Sequence, residues 1–97
     1  MFFVFAPDPI DTSDVVLSDD MLALTEELAR NTHNVWAKGR RQEGWTFGLK
    51  RNDEKKETPL LIHYDYLADS EKEYDRNTAL ETLKLIIKLG YKITKDE

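Results

Sequence analysis

The segment from Ser18 to Gly44 limits what this chain can fold into more than any other, because it carries the marks of one long helix. Ser18 offers an N-cap oxygen to a free backbone N–H, and Asp19 and Asp20 set negative charge against the positive end of the helix dipole. Met21, Leu24, Leu28, Thr32 and Val35 recur at helical spacing, Arg40 and Arg41 suit the last turn, and Gly39 or Gly44 can end the helix. The expectation is a helix from about residue 19 to about residue 41, with the Leu28 side against the core.

The rest of the chain divides into shorter pieces around that helix. Pro7 and Pro9 predict an extended lead-in that continues through the β-branched residues of 10–16. Gly44-Trp45-Thr46-Phe47-Gly48 brackets an aromatic pair between glycines and predicts a short extended piece, followed by a polar loop through Thr58. Pro59-Leu60-Leu61-Ile62-His63-Tyr64 reads as a buried strand with proline at its start. Ser70-Glu71-Lys72-Glu73 and Thr78-Ala79-Leu80-Glu81 each fit a capping box, in which hydroxyl and carboxylate reciprocally satisfy backbone N–H groups. They predict two successive helices, a short one over 70–75 and a longer one that carries Leu80, Leu83, Ile86 and Ile87 inward and stops at Gly90. Tyr91 and Ile93 are expected to return as a small strand ahead of a charged tail.

At 97 residues, 40% hydrophobic and 34% charged, the chain suits one domain with one core. Cysteine is absent, which excludes a disulfide framework and a thiolate zinc site and makes a reducing, cytoplasmic setting the expectation. A net charge of -5 argues against nucleic acid as partner, and the lysines and arginines of 50–56 interleave with acids as in a solvated loop. The apolar opening, residues 1–6, lacks a basic start and is too short for a signal sequence or a membrane span. It is expected to pair as a strand, within the domain or against a second copy, with a stub disordered in solution as the alternative.

Catalysis has little support in these residues. His33 and His63 have no cysteine or nucleophile-elbow context, no glycine-rich loop precedes a lysine, and no His-x-x-x-His spacing offers a metal site. Asp19 with Asp20, and Glu26 with Glu27, are better explained as helix-terminal and surface charges than as an acid and base pair. A different constellation appears on the first helix. With Leu28 at zero and about 100° per residue, Trp36 falls near 80°, Arg40 near 120° and His33 near 140°. An indole face, an imidazole and a guanidinium can therefore converge on one planar anionic ligand, such as a nucleotide. The plainer reading makes Trp36 core packing, His33 and Arg40 a solvated margin, and Trp45 a plug between helix and sheet.

Five blocks in order resemble a known family: Pro9-Ile10-Asp11-Thr12-Ser13, His33-Asn34-Val35-Trp36-Ala37, Gly44-Trp45-Thr46-Phe47-Gly48, Pro59-Leu60, and Leu80-Glu81-Thr82-Leu83-Lys84 ending in Leu89-Gly90-Tyr91. They resemble the repeat that occurs in tandem in ryanodine receptor calcium channels and singly in bacterial proteins, over residues 7–93, flanked by the apolar segment 1–6 and the tail 94–97. The resemblance implies an α+β fold, about three helices packed on a small antiparallel sheet, without enzymatic activity. It also implies support for adenine-nucleotide or small-molecule binding near paired helices, with Trp36 as stacking element and His33 and Arg40 beside it. Because repeats pair in the channels, a homodimer is the expected stand-in for a single repeat. The alternative is a structural or protein-interaction module that self-associates.

Overall fold

The computed structural model describes residues 4–96, so the expected strand at Met1 to Phe3 and the last residue of the tail lie outside the described residues. Helix α1 spans Asp19–Gln42 and helix α2 spans Asp69–Lys88. Between them lie two two-residue strands, β1 at Thr46–Phe47 and β2 at Glu57–Thr58, and one turn of 3-10 helix at Tyr64–Tyr66. The two strands run parallel, Thr46 opposite Glu57 and Phe47 opposite Thr58. Residues 4–6 carry no regular structure, and Val4 and Phe5 are exposed.

The α+β class holds, but the expectation of about three helices on an antiparallel sheet is overturned: among the described residues there are two α-helices and one minimal parallel ladder. The two capping boxes of the second half lie inside a single helix. Thr78 does not cap; its Oγ1 donates back to the carbonyl of Tyr74, a bond available only once the preceding turn is helical. The 59–64 segment is irregular and ends in the 3-10 turn, where the His63 ring nitrogen Nδ1 accepts from the N–H of Asp65. Residues 91–93 form no strand. The antiparallel pairing among the described residues is one isolated bridge, Asn52 with Glu57, that folds the polar loop back so β2 can lie beside β1.

Both α-helices end by the same device. Gly44 (φ 93°) follows α1 and Gly90 (φ 99°) follows α2, left-handed positions that a side chain would strain. After α1, the N–H of Gly44 donates to Arg41 O and that of Trp45 to Arg40 O. After α2, Gly90 donates to Ile87 O and Tyr91 to Ile86 O, so each terminus is a Schellman turn that reverses the chain over its own last turn.

Two apolar clusters make up the core, one between the start of α1 and α2 and the other between α1 and the segment 60–67. Leu17, Met21 and Leu83 form one, with Val15, Leu80, Ile87 and Ile93 packed around them. Ala29, Tyr64 and Leu67 form the other, joined by Leu60 and Ile62. The lead-in is pinned to α2 by polar contacts: Thr12 Oγ1 donates to Glu81 at 2.7 Å, and Lys88 Nζ binds Asp14 at 2.8 Å.

The face that α1 buries is not the one its periodicity predicts. Met21, Ala29 and His33 are buried and Thr25, Trp36 and Arg40 half-buried, whereas Leu24, Leu28 and Val35 remain 43%, 38% and 64% exposed. On the same helical wheel the buried residues centre about 80 to 100° away from Leu28. The physical reason is the partner surface. Ala29 is small enough to let the Tyr64 ring close onto the helix axis, and His33 finds a carbonyl there. No complementary apolar surface faces Leu28 among the described residues.

Candidate functional site

His33, Trp36 and Arg40 do come together, one turn apart along the inner flank of α1. His33 is only 6% exposed, with Nε2 2.7 Å from the carbonyl of Ile62. A carbonyl only accepts, so Nε2 carries a proton and donates it to Ile62 O. The imidazole stacks on the Trp36 indole, centroids 5.6 Å apart and planes 28° apart, and lies 6.2 Å from the Tyr64 ring. Asp75 of α2 is close enough to His33 to interact with it electrostatically. Burial pushes its carboxyl pKa above the ordinary value, an effect that the neighbouring His33 partly offsets. His33 is thus held by backbone, ring and helix contacts and does not project toward solvent.

Arg40 stands differently. Its guanidinium carbon lies 6.0 Å from the Trp36 ring and 5.5 Å from the Trp45 ring. Trp45 is there because of the Schellman turn: the bond from its N–H to Arg40 O folds the chain back so that its side chain meets the arginine that supplies the carbonyl. Arg51, from the loop after β1, brings a second guanidinium to within 5.5 Å of the same Trp45 ring. The nearest acids are at the rim. Glu43 lies 3.6 Å from Arg40, and Asp53 accepts from Arg51 at 2.8 Å, both well exposed. The Lys56 ammonium donates to Glu43 O at 2.8 Å and fastens the loop to the end of α1.

The result is an alternating stack, imidazole, indole, guanidinium, indole, guanidinium, whose inner end is buried and whose outer end is open. The inner members are structural in their contacts. The outer members, Arg40, Trp45 and Arg51, offer π-faces and forked N–H donors, the chemistry that takes a planar base or an oxyanion. Sequence reading placed Trp45 in the gap between helix and sheet and left Arg51 in a solvated loop. Trp45 was within reach of inference, since a glycine directly after a helix followed by tryptophan returns that ring over the third-last helical residue. Arg51 was not, because a loop that folds by a single bridge leaves no periodicity to read.

A broad open groove lies elsewhere, between residues 8–13 and α2, lined by Ile10, Thr12, Thr78, Glu81 and Leu85 and holding none of His33, Trp36 and Arg40. Its walls carry threonines already bonded to backbone or to Glu81, which leaves few convergent polar groups. No helix among the described residues is long and apolar enough to cross a membrane.

Two helices closed by Schellman turns, joined through a minimal ladder and a ring-lined flank, define a small α+β module. The RyR domain family model matches residues 5–95, and the chain belongs to that family.

Proposed function

We propose that this RyR domain is a non-enzymatic binding module that takes an adenine-nucleotide-like anion at the open end of the stack. The observation that carries this reading is the pair of guanidiniums, Arg40 and Arg51, each 5.5 Å from the Trp45 ring. A base can take the place of one guanidinium on the indole, and the displaced arginine then meets the phosphate with two parallel N–H donors. Trp36 backs Arg40, and His33 locks Trp36 through its own bond to Ile62 O. Of the residues read from sequence, Arg40 touches ligand, Trp36 supports it, and His33 positions Trp36.

Isothermal titration of the full chain with ATP, ADP, AMP and cyclic nucleotides tests this. Saturable binding is expected, weakened roughly tenfold to a hundredfold by Arg40→Ala, in line with about 1 to 3 kcal/mol for a charge-assisted contact. Inorganic triphosphate is expected to bind more weakly than ATP, because it offers nothing to stack. No heat at millimolar nucleotide, or an affinity unchanged in Arg40→Ala and Arg51→Ala, sinks the proposal.

A further inference from the structure

Leu24, Leu28 and Val35 lie along one side of α1 and stay exposed, and nothing among the described residues covers them. The same side holds Gly39, a glycine inside a helix. Such a glycine costs roughly 0.5 to 1 kcal/mol relative to alanine. Its usual justification is absent within the chain: its φ is not left-handed, and a Cβ built there meets nothing within 4 Å.

We propose that this face of α1 is an interface with a second copy of the chain, the two α1 helices antiparallel about a two-fold axis between Asn31 and Thr32. Three features meet in that one register. It sets Leu28 opposite the partner's Val35, and Leu24 opposite the partner's Gly39, where the missing Cβ leaves room for the leucine. It also sets Glu27 beside the partner's Lys38 on the same flank, offset by about 3 Å along the axis at 1.5 Å rise per residue, within reach of both side chains. Glu27 and Lys38 are exposed and neither has an ion-pair partner among the described residues. In a parallel pair the flank that carries Glu27 and Lys38 would face the partner's opposite flank and this pairing would be lost, so charge favours the antiparallel arrangement. An isologous contact of this kind closes as a dimer and does not propagate.

This interface is independent of the ligand reading, and its test needs no nucleotide. Sedimentation velocity of the full chain from micromolar to millimolar concentration is expected to show a monomer–dimer equilibrium. Gly39→Leu is expected to raise the dimer dissociation constant tenfold or more while melting temperature is held or raised, since leucine favours helix and the monomer has space for it. Glu27→Lys is expected to weaken association, and the double variant Glu27→Lys/Lys38→Glu to restore it, which no change in folding can mimic. A monomer throughout the range overturns the proposal. So does a dimer that Gly39→Leu leaves intact, a double variant no tighter than the single, or a dimer lost on deleting residues 1–6 but not on changing Gly39.

Discussion

Two aromatic rings in this protein each carry two cations, and they differ in what surrounds them. Tyr64 lies between Arg30, 5.0 Å from its centroid, and Lys72, 5.6 Å away, and is 1% exposed. Arg30 is bound to Asp65 at 2.7 Å and Lys72 donates to the backbone carbonyl of the same residue, so both cations are tied to one anchor beside the ring. Burial, reinforced by the neighbouring Glu26 carboxylate, pushes the Tyr64 phenol above its ordinary pKa. Trp45 has Arg40 and Arg51 at the same kind of distance, but it is half-exposed and its cations have only rim acids. The same interaction is a structural pillar where the ring is buried. Where the ring is half-exposed, as at Trp45, it bounds the face proposed above for a ligand.

The largest expected separation of the two is in stability. Tyr64→Ala removes the largest fully buried side chain among the described residues and is expected to cost about 3 to 5 kcal/mol, read by urea denaturation. Trp45→Ala, at the open end, is expected to cost about 1 to 2 kcal/mol; a loss equal to that of Tyr64→Ala would erase the distinction. The arginines sharpen it in the opposite sense. Arg40→Ala is expected to lower nucleotide affinity and leave the denaturation midpoint nearly unchanged, whereas Arg30→Ala is expected to lower the midpoint and leave affinity alone.

The smallest expected effect is in acid. Hydrogen bonds from Arg76 to Glu26, from Arg30 to Asp65 and from Lys88 to Asp14 hold these carboxyls below their ordinary values. Their contribution is present above the unfolded-state values, near pH 4, and is lost as pH falls through the depressed folded-state values. A modest decline in stability is therefore expected below about pH 4, and it should shrink in Arg76→Gln. A midpoint that holds steady into strong acid would show that these exposed pairs contribute nothing measurable.

Much of the framework was legible in the residues. Ser18 does cap α1, its hydroxyl accepting from the N–H of Met21, and the acids and arginines sit in the first and last turns as the dipole favours. Gly90 ends α2 as read, and of the two glycines read as possible ends of α1 it is Gly44 that does so. The misreadings share one cause. A capping box states that a helix can begin at a place, and Thr78 fits that pattern while lying in the middle of α2, because the helix before it had already formed. Likewise the apolar run at 59–64 has strand composition, yet finds no neighbouring strand to pair with and turns into the 3-10 segment that delivers Tyr64.

The candidate site divides in the same way. The spacing of His33, Trp36 and Arg40 already places them on one helical flank, and this is a local fact that helix geometry guarantees. Whether each side chain faces protein or solvent is not local.

The sequence by itself determined helix α1 with its Ser18 cap, the glycine that ends α2, and the family resemblance, because these depend on residues within a few turns of one another. Only the tertiary structure decided which side of α1 is buried. Periodicity reports where apolar side chains are, but burial depends on what shape opposes them. Tyr64 opposes Ala29 and His33, and that contact leaves Leu24, Leu28 and Val35 facing outward.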